Sequence, residues 1–367
     1  MTSTGFLFLI FTLILLTCVN IQFSDKLKHV HNFFLIIGLC TSLFQFLLII
    51  SLVGFEYSED MASYYNWFES VAHNSTLSGW GINDKGVALS YLFYVISIFS
   101  DKFYSFQIFI ALYSIFFLIY FTYYSIDLVA RDGLAVTLLL IFSLLLVNRI
   151  FMTNATHIIR SYLGMSMLLI ATICLFQRRM SAIIFYIASF LFHKLQFILS
   201  LIPVTLTLLI PYRVILMLGV LGVFELYLGL GVKFFIDEIL VVIAELDFYS
   251  SVFMVEGYRR QASQLTQLTI YLIIPLMIIA LNLTNAKFSK LSFREKFWVK
   301  FLYSSAVLFC FMANATPRAS RLLVFLIILV YPVFLKHSTG TQRVFYINAV
   351  ILINFIAICR NLDSLII

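Results

Sequence analysis

An arginine and a histidine bracket one apolar stretch of this chain. Between Asn154 and Gln196 the sequence reads NATHIIRSYLGMSMLLIATICLFQRRMSAIIFYIASFLFHKLQ. Arg160 opens the first apolar run, His193 ends the second, and Arg178-Arg179 lies between them. Ionisable side chains beside long apolar runs are costly in lipid, so each needs a reason. Two helices joined by a tight turn would bring Arg160 and His193 to the same side of a bilayer. A guanidinium offers a two-pronged donor to phosphate oxygens. An imidazole exchanges protons near neutral pH. Each residue also has a plainer reading: Arg160 as an interfacial anchor with its stem along the lipid, His193 as a structural hydrogen-bonder. Their pairing on one hairpin marks that side as the working face.

Other residues fall on the same face if the hairpin is placed this way. Asp60, in SEDMASYY, stands four residues before Tyr64, the spacing that shares one face of an interfacial helix. A carboxylate at a membrane-facing cleft can serve as general base toward a hydroxyl; the alternative is a solvated acidic loop. Arg318 and Arg321 stand three apart just after Pro317. There a helix start adds a favourable field for an anion, so the pair suits a diphosphate. Otherwise they are interfacial anchors, on the side that normally lacks arginine. His157 reads as an interface histidine and Lys194 as a snorkelling neighbour. Tyr64, Tyr65, Trp67, Trp80 and Tyr258 offer flat faces on which sugar rings can stack. Glu256, Arg259 and Arg260 form a mixed-charge patch beside them.

The elements that must position these groups are set by composition. Of 367 residues, 62% are hydrophobic and 11% charged, against about 25% charged in soluble domains. The expectation is an all-α, polytopic integral membrane protein, one membrane domain over residues 1–367. Apolar runs fall at about 4–22, 33–54, 103–125, 133–150, 158–176, 180–193, 196–210, 214–231, 266–284, 297–313, 319–335 and 344–360. That is about 12 crossings. Loops 55–85 and 232–265 are expected to lie outside and cap the site. The first carries Glu56, Glu59, Asp60, Glu69 and Asp84 against Lys85 alone.

Residues 86–100 decide the topology. At about 22 Å of helix they are short for a crossing. If they dip in and return, the basic short loops holding Lys26, Lys28, Arg131, Arg178, Arg179, Arg213, Lys287, Lys290, Arg294, Lys296, Lys336 and Arg343 all fall on the cytoplasmic side. If they cross, the basic loops scatter. A re-entrant or interfacial helix is therefore expected there, with both termini outside. The net charge of +7 is absorbed by those loops; no basic patch with interleaved aromatics points to nucleic acid.

Cys18, Cys40, Cys174, Cys310 and Cys359 all sit in apolar runs without metal-ligand spacing, so neither metal nor cofactor is expected. The first 22 residues lack a basic leader and read as a retained span. The sequons at Asn74, Asn154, Asn282 and Asn314 carry no argument. No repeat is evident, and all five prolines fall in the second half. Matched broken helices of the transporter kind are therefore not seen.

Taken together, the chain resembles the EpsG/Wzy-type polysaccharide polymerases of bacterial O-antigen and capsule assembly. The features that carry the resemblance run from residue 55 to about 335, in order: Asp60 and Tyr64, the short GVALSYLFYVIS helix, Asn154 ahead of IIRSYLGMSMLLIA with Arg160, ASFLFHKLQFI with His193, and PRASRLLVF. The doubled arginine of the last motif departs from the pattern; Arg321, followed by the apolar run, is the better match. The resemblance implies a transferase acting on undecaprenyl-diphosphate-linked oligosaccharide repeat units at the outer face of the bacterial inner membrane. Arg160, Arg318 and Arg321 would bind the diphosphate, Asp60 or His193 would take the proton, and Tyr64 and Asn154 would contact substrate. Membrane lipids and a chain-length regulator are the implied partners. An O-antigen ligase or other polyprenyl-linked glycosyltransferase shares these residues. A flippase would instead place its charges near the bilayer midplane.

Overall fold

In the computed structural model, residues 3–22, 25–52, 59–73, 87–125, 133–146, 159–228 and 288–312 are described, with single positions between 322 and 348. Among them all regular structure is helical. In lipid each backbone N–H and C=O must be satisfied within its own segment, and a helix does that. The helices are α1 Ser3–Gln22, α2 His31–Leu52, α3 Glu59–His73, α4 Val87–Phe99, α5 Phe103–Ser125 and α6 Gly133–Leu146. They continue with α7 Ile159–Phe176, α8 Ser181–Phe192, α9 Lys194–Leu209, α10 Tyr212–Leu228 and α11 Phe293–Met312. A short 3-10 turn, Asp25–Val30, joins α1 to α2.

Among the described residues three stretches are long and apolar enough to cross a membrane: Leu27–Gln45, Phe103–Tyr124 and Ile159–Phe176. Ile10–Gln22, Val87–Phe99, Ser181–Phe192 and Gln196–Leu209 are shorter apolar helices. The short helix expected at 86–100 is α4, whose 13 residues make about 20 Å. The expected span at about 266–284, the loop 232–265 and most of the chain beyond 312 lie outside the described residues. The exterior carries large apolar side chains, among them Phe33, Ile36, Phe116, Ile184 and Met217. In water such a surface would drive association; lipid is its natural solvent.

The chain divides into two compact units, Met1–His193 with Pro332–Ile367, and Lys194–Tyr331. In the first, α7 is the central helix, with 14 of its 18 residues buried. A helix apolar all round belongs in an interior. The amides of Asn20 and Asn348 exchange two hydrogen bonds of 3.0 Å, tying the far end of the chain to α1.

In the second unit α10 and α11 lie side by side and run in the same direction. A Cβ on Gly222 would sit 2.8 Å from the Cys310 Cβ, and one on Gly219 3.8 Å from a Val307 methyl. The absence of a side chain at 222 lets the two helices approach. The Ser292 hydroxyl accepts from the Glu295 backbone N–H at 3.2 Å, and the Glu295 carboxylate accepts from the Ser292 N–H at 3.0 Å. This reciprocal pair satisfies two orphan donors where α11 begins.

Candidate functional site

The site is built on the hairpin of α7 and α8. The two helices run antiparallel: Ser189 Oγ donates to the Gly164 carbonyl at 2.7 Å, and Thr172 pairs with the Tyr186 hydroxyl at 3.4 Å. Arg160 in the first turn of α7 and His193 just past α8 therefore stand at the same end. Gly164 follows Arg160 by one helical turn and shares its face. A Cβ at Gly164 would lie 3.4 Å from the His193 Cβ and 3.7 Å from the Phe192 Cβ. The Arg160 face of α7 is thus the face turned toward His193. His193 is buried at 5% exposure, its backbone is extended (φ −158°, ψ 91°), and its N–H closes the last turn of α8 on the Ser189 carbonyl at 3.1 Å.

At the opposite end the chain turns through Arg178, whose φ of 55° is left-handed. The Arg179 N–H bonds the Cys174 carbonyl at 2.9 Å and the Arg178 N–H bonds the Leu175 carbonyl at 3.0 Å. These two bonds make the closed C-terminal turn that usually carries glycine. Both arginines are exposed. The Arg179 guanidinium lies 5.9 Å over the Tyr124 ring in the last turn of α5. Further along, Tyr120 meets Cys174 at 3.6 Å and Tyr113 meets Ser166 at 2.7 Å. Helix α5 accordingly runs parallel to α7, and its start lies at the Arg160 end.

Helix α3 covers that end. Tyr64 is buried, and its phenol oxygen accepts a 3.4 Å hydrogen bond from the Arg160 backbone N–H. The first N–H groups of a helix have no partner within it; here a side chain from another helix supplies one. Apolar rings hold α3 in place. Tyr65 and Phe68 pack edge-on against Phe103 at 5.6 and 5.8 Å. Trp67 and Phe68 each lie 5.5 Å from Phe93 of α4, and Phe93 lies 4.8 Å from Phe106. Each such pair contributes about 0.5–1.5 kcal/mol beyond its buried area. The neighbouring Tyr65 phenol is pushed above its ordinary pKa, first by the charge of Glu69, then by desolvation and by a hydrogen bond to that carboxylate. Tyr65 therefore stays protonated at neutral pH and cannot act as a base there.

Of the residues singled out from sequence, Tyr64, Arg160 and His193 stand at this end, Tyr64 bonded to the Arg160 backbone and His193 packed one turn further along α7. Asp60 lies in the first turn of α3, one turn before Tyr64; its side chain is outside what the structure describes. Asn154, His157, Arg318 and Arg321 also lie outside the described residues. Among the described residues no three His, Cys, Asp or Glu side chains gather as a metal site. Two residues at this end escaped the sequence reading, Gly164 and Ser189. Glycine in mid-helix costs about 1 kcal/mol relative to alanine. One placed four residues after Arg160 was the available signal that something packs closely against that face.

Helical structure throughout the described residues, with stretches long and apolar enough to cross a bilayer and a lipid-like exterior, defines a class, a helical membrane protein. Residues 39–364 match the EpsG family, nearly the whole chain, and the protein belongs to that family. Membership implies a polysaccharide polymerase-like, glycosyltransferase-like function in a membrane. No curated protein matches the chain. No solved structure matches it either.

Proposed function

We propose that the protein polymerises lipid-linked oligosaccharide repeat units at the outer face of the bacterial inner membrane. A sugar hydroxyl of one undecaprenyl-diphosphate-linked unit attacks the anomeric carbon of the growing glycan. The new glycosidic C–O bond forms as the bond from that carbon to the diphosphate oxygen breaks. Undecaprenyl diphosphate leaves with the electron pair, and the hydroxyl proton passes to Asp60 or His193. Arg160 and Arg321, with Arg318 assisting, stabilise the charge that develops on the diphosphate, the role that donors aimed at a developing anion play best. Guanidinium groups supply the positive charge, so the route needs no metal ion. Asn154 and Tyr64 line the approach. On this reading about 12 helices cross the bilayer and α4 is re-entrant.

One observation carries the proposal. The α7–α8 hairpin sets Arg160 and His193 at one end, with the bare Gly164 letting the His193 backbone pack closely on α7 one turn from Arg160, and Tyr64 ties the acid-bearing helix α3 to the same end. Both substrates are lipid-linked, which fits a site at the bilayer rim.

The test is Arg160→Ala in the native host, with surface polysaccharide resolved on a gel. The expected result is loss of the long ladder, single repeat units remaining, at unchanged protein level. Persistent full-length ladders would make Arg160 a membrane anchor. Loss of even the single-unit band would favour a ligase or flippase.

A further inference from the structure

We infer that Ser189 is a positioning residue: its hydroxyl and its carbonyl together fix the backbone of His193 against the face of α7 that carries Arg160. The inference rests on the proposed use of His193 and goes beyond it.

Three observations meet at this serine, which is buried at 1% exposure. Its hydroxyl donates across the hairpin to the Gly164 carbonyl at 2.7 Å. Its carbonyl accepts the His193 N–H at 3.1 Å. That same carbonyl lies 3.4 Å from where a Gly164 Cβ would stand. One residue thus bonds the central helix sideways and the histidine lengthwise.

The geometry explains why the clasp is needed. His193 lies past the end of α8 in extended backbone, between Phe192, which ends α8, and Lys194, which begins α9. A residue at such a break has no helix of its own to fix it. Its position relative to Arg160 is set by the last hydrogen bond of α8 and by how closely α8 lies on α7. The first is a backbone bond that any residue at 189 would supply; the Ser189 hydroxyl governs the second, by holding the end of α8 on α7. Side-chain hydrogen bonds between membrane helices contribute little to stability, because the separated helices also find partners. Misplacement of a reacting group by about 1 Å, in contrast, can cost two orders of magnitude in rate. The hydroxyl should therefore matter more to rate than to folding.

The experiment is single-turnover transfer by the full-length protein in membranes, using an undecaprenyl-diphosphate-linked repeat unit isolated from the host. Ser189→Ala, Ser189→Thr and His193→Ala are compared with the parent. The amplitude counts folded, competent protein and the rate constant reports the chemical step. For Ser189→Ala the rate constant is expected to fall about tenfold at unchanged amplitude, and Ser189→Thr, which keeps the hydroxyl, to recover most of it. An amplitude that falls at constant rate would show a merely structural serine and overturn the inference. So would a parental rate in Ser189→Ala while His193→Ala is inactive. If His193→Ala itself transfers at the parental rate, the proposed role of His193 is what fails.

Discussion

Arg178 holds a backbone conformation that costs a non-glycine residue about 1–2 kcal/mol, at φ 55°. Its exposed side chain makes the position suitable for a test. Arg178→Gly is expected to stabilise the protein by about 0.5–1 kcal/mol, read as a higher thermal midpoint in detergent with polymerisation unchanged. A lower midpoint would mean that the guanidinium makes a contact outweighing the strain. The residue scale also shows what could be read in advance. That Arg160 and His193 would stand at the same end was legible, because two apolar runs and a dibasic break read as a tight hairpin. The bond from the Arg160 N–H to Tyr64 was not, because it joins residues 96 apart in sequence. No local spacing encodes such a pair.

At the scale of elements, the hairpin follows the sequence closely: runs expected at about 158–176 and 180–193 are Ile159–Phe176 and Ser181–Phe192. Apolar periodicity and a charged break locate such helices well. Helix α3 was harder, since an acidic, aromatic-rich stretch reads first as a loop. Its buried stripe of Tyr64, Phe68 and Val71 repeats at helical spacing, and the Asp60–Tyr64 interval hinted at it. The register of α7 on α8 can be checked directly. Gly164→Cys with His193→Cys would place two Cβ atoms about 3.4 Å apart, near the range of about 3.5–4.5 Å that a disulfide spans. Mild oxidation is expected to cross-link the pair, detected by thiol alkylation before and after reduction. A pair that stays fully alkylatable after oxidation would show the register to be wrong.

At the scale of the whole molecule, the charges sort by end within each unit. Arg178 and Arg179 lie at the hairpin turn, opposite Arg160 and His193. In the Lys194–Tyr331 unit the parallel course of α10 and α11 gathers Arg213, Lys290 and Arg294 at one end. Positive loops stay cytoplasmic, so accessibility gives a test of orientation. In a background without native cysteines, His73→Cys on α3 is expected to react with a membrane-impermeant maleimide in intact cells. Arg178→Cys should react only once the membrane is opened. The reverse pattern would turn the site to the cytoplasm. Composition foretold apolar helices suited to a membrane. The partner of each helix was not foretold, since lipid-facing and protein-facing sides are both apolar and differ mainly in small residues such as Gly164 and Gly222.

Helix α8 has a further consequence, for how the protein is made. Its 12 residues give about 18 Å of helix against a hydrocarbon layer of about 30 Å. A segment that short does not settle in the bilayer alone, and its buried Ser189 hydroxyl finds its acceptor on α7. During synthesis α7 should therefore wait at the insertion machinery until α8 has emerged. The two would then leave together as one folded pair, joined at the dibasic turn.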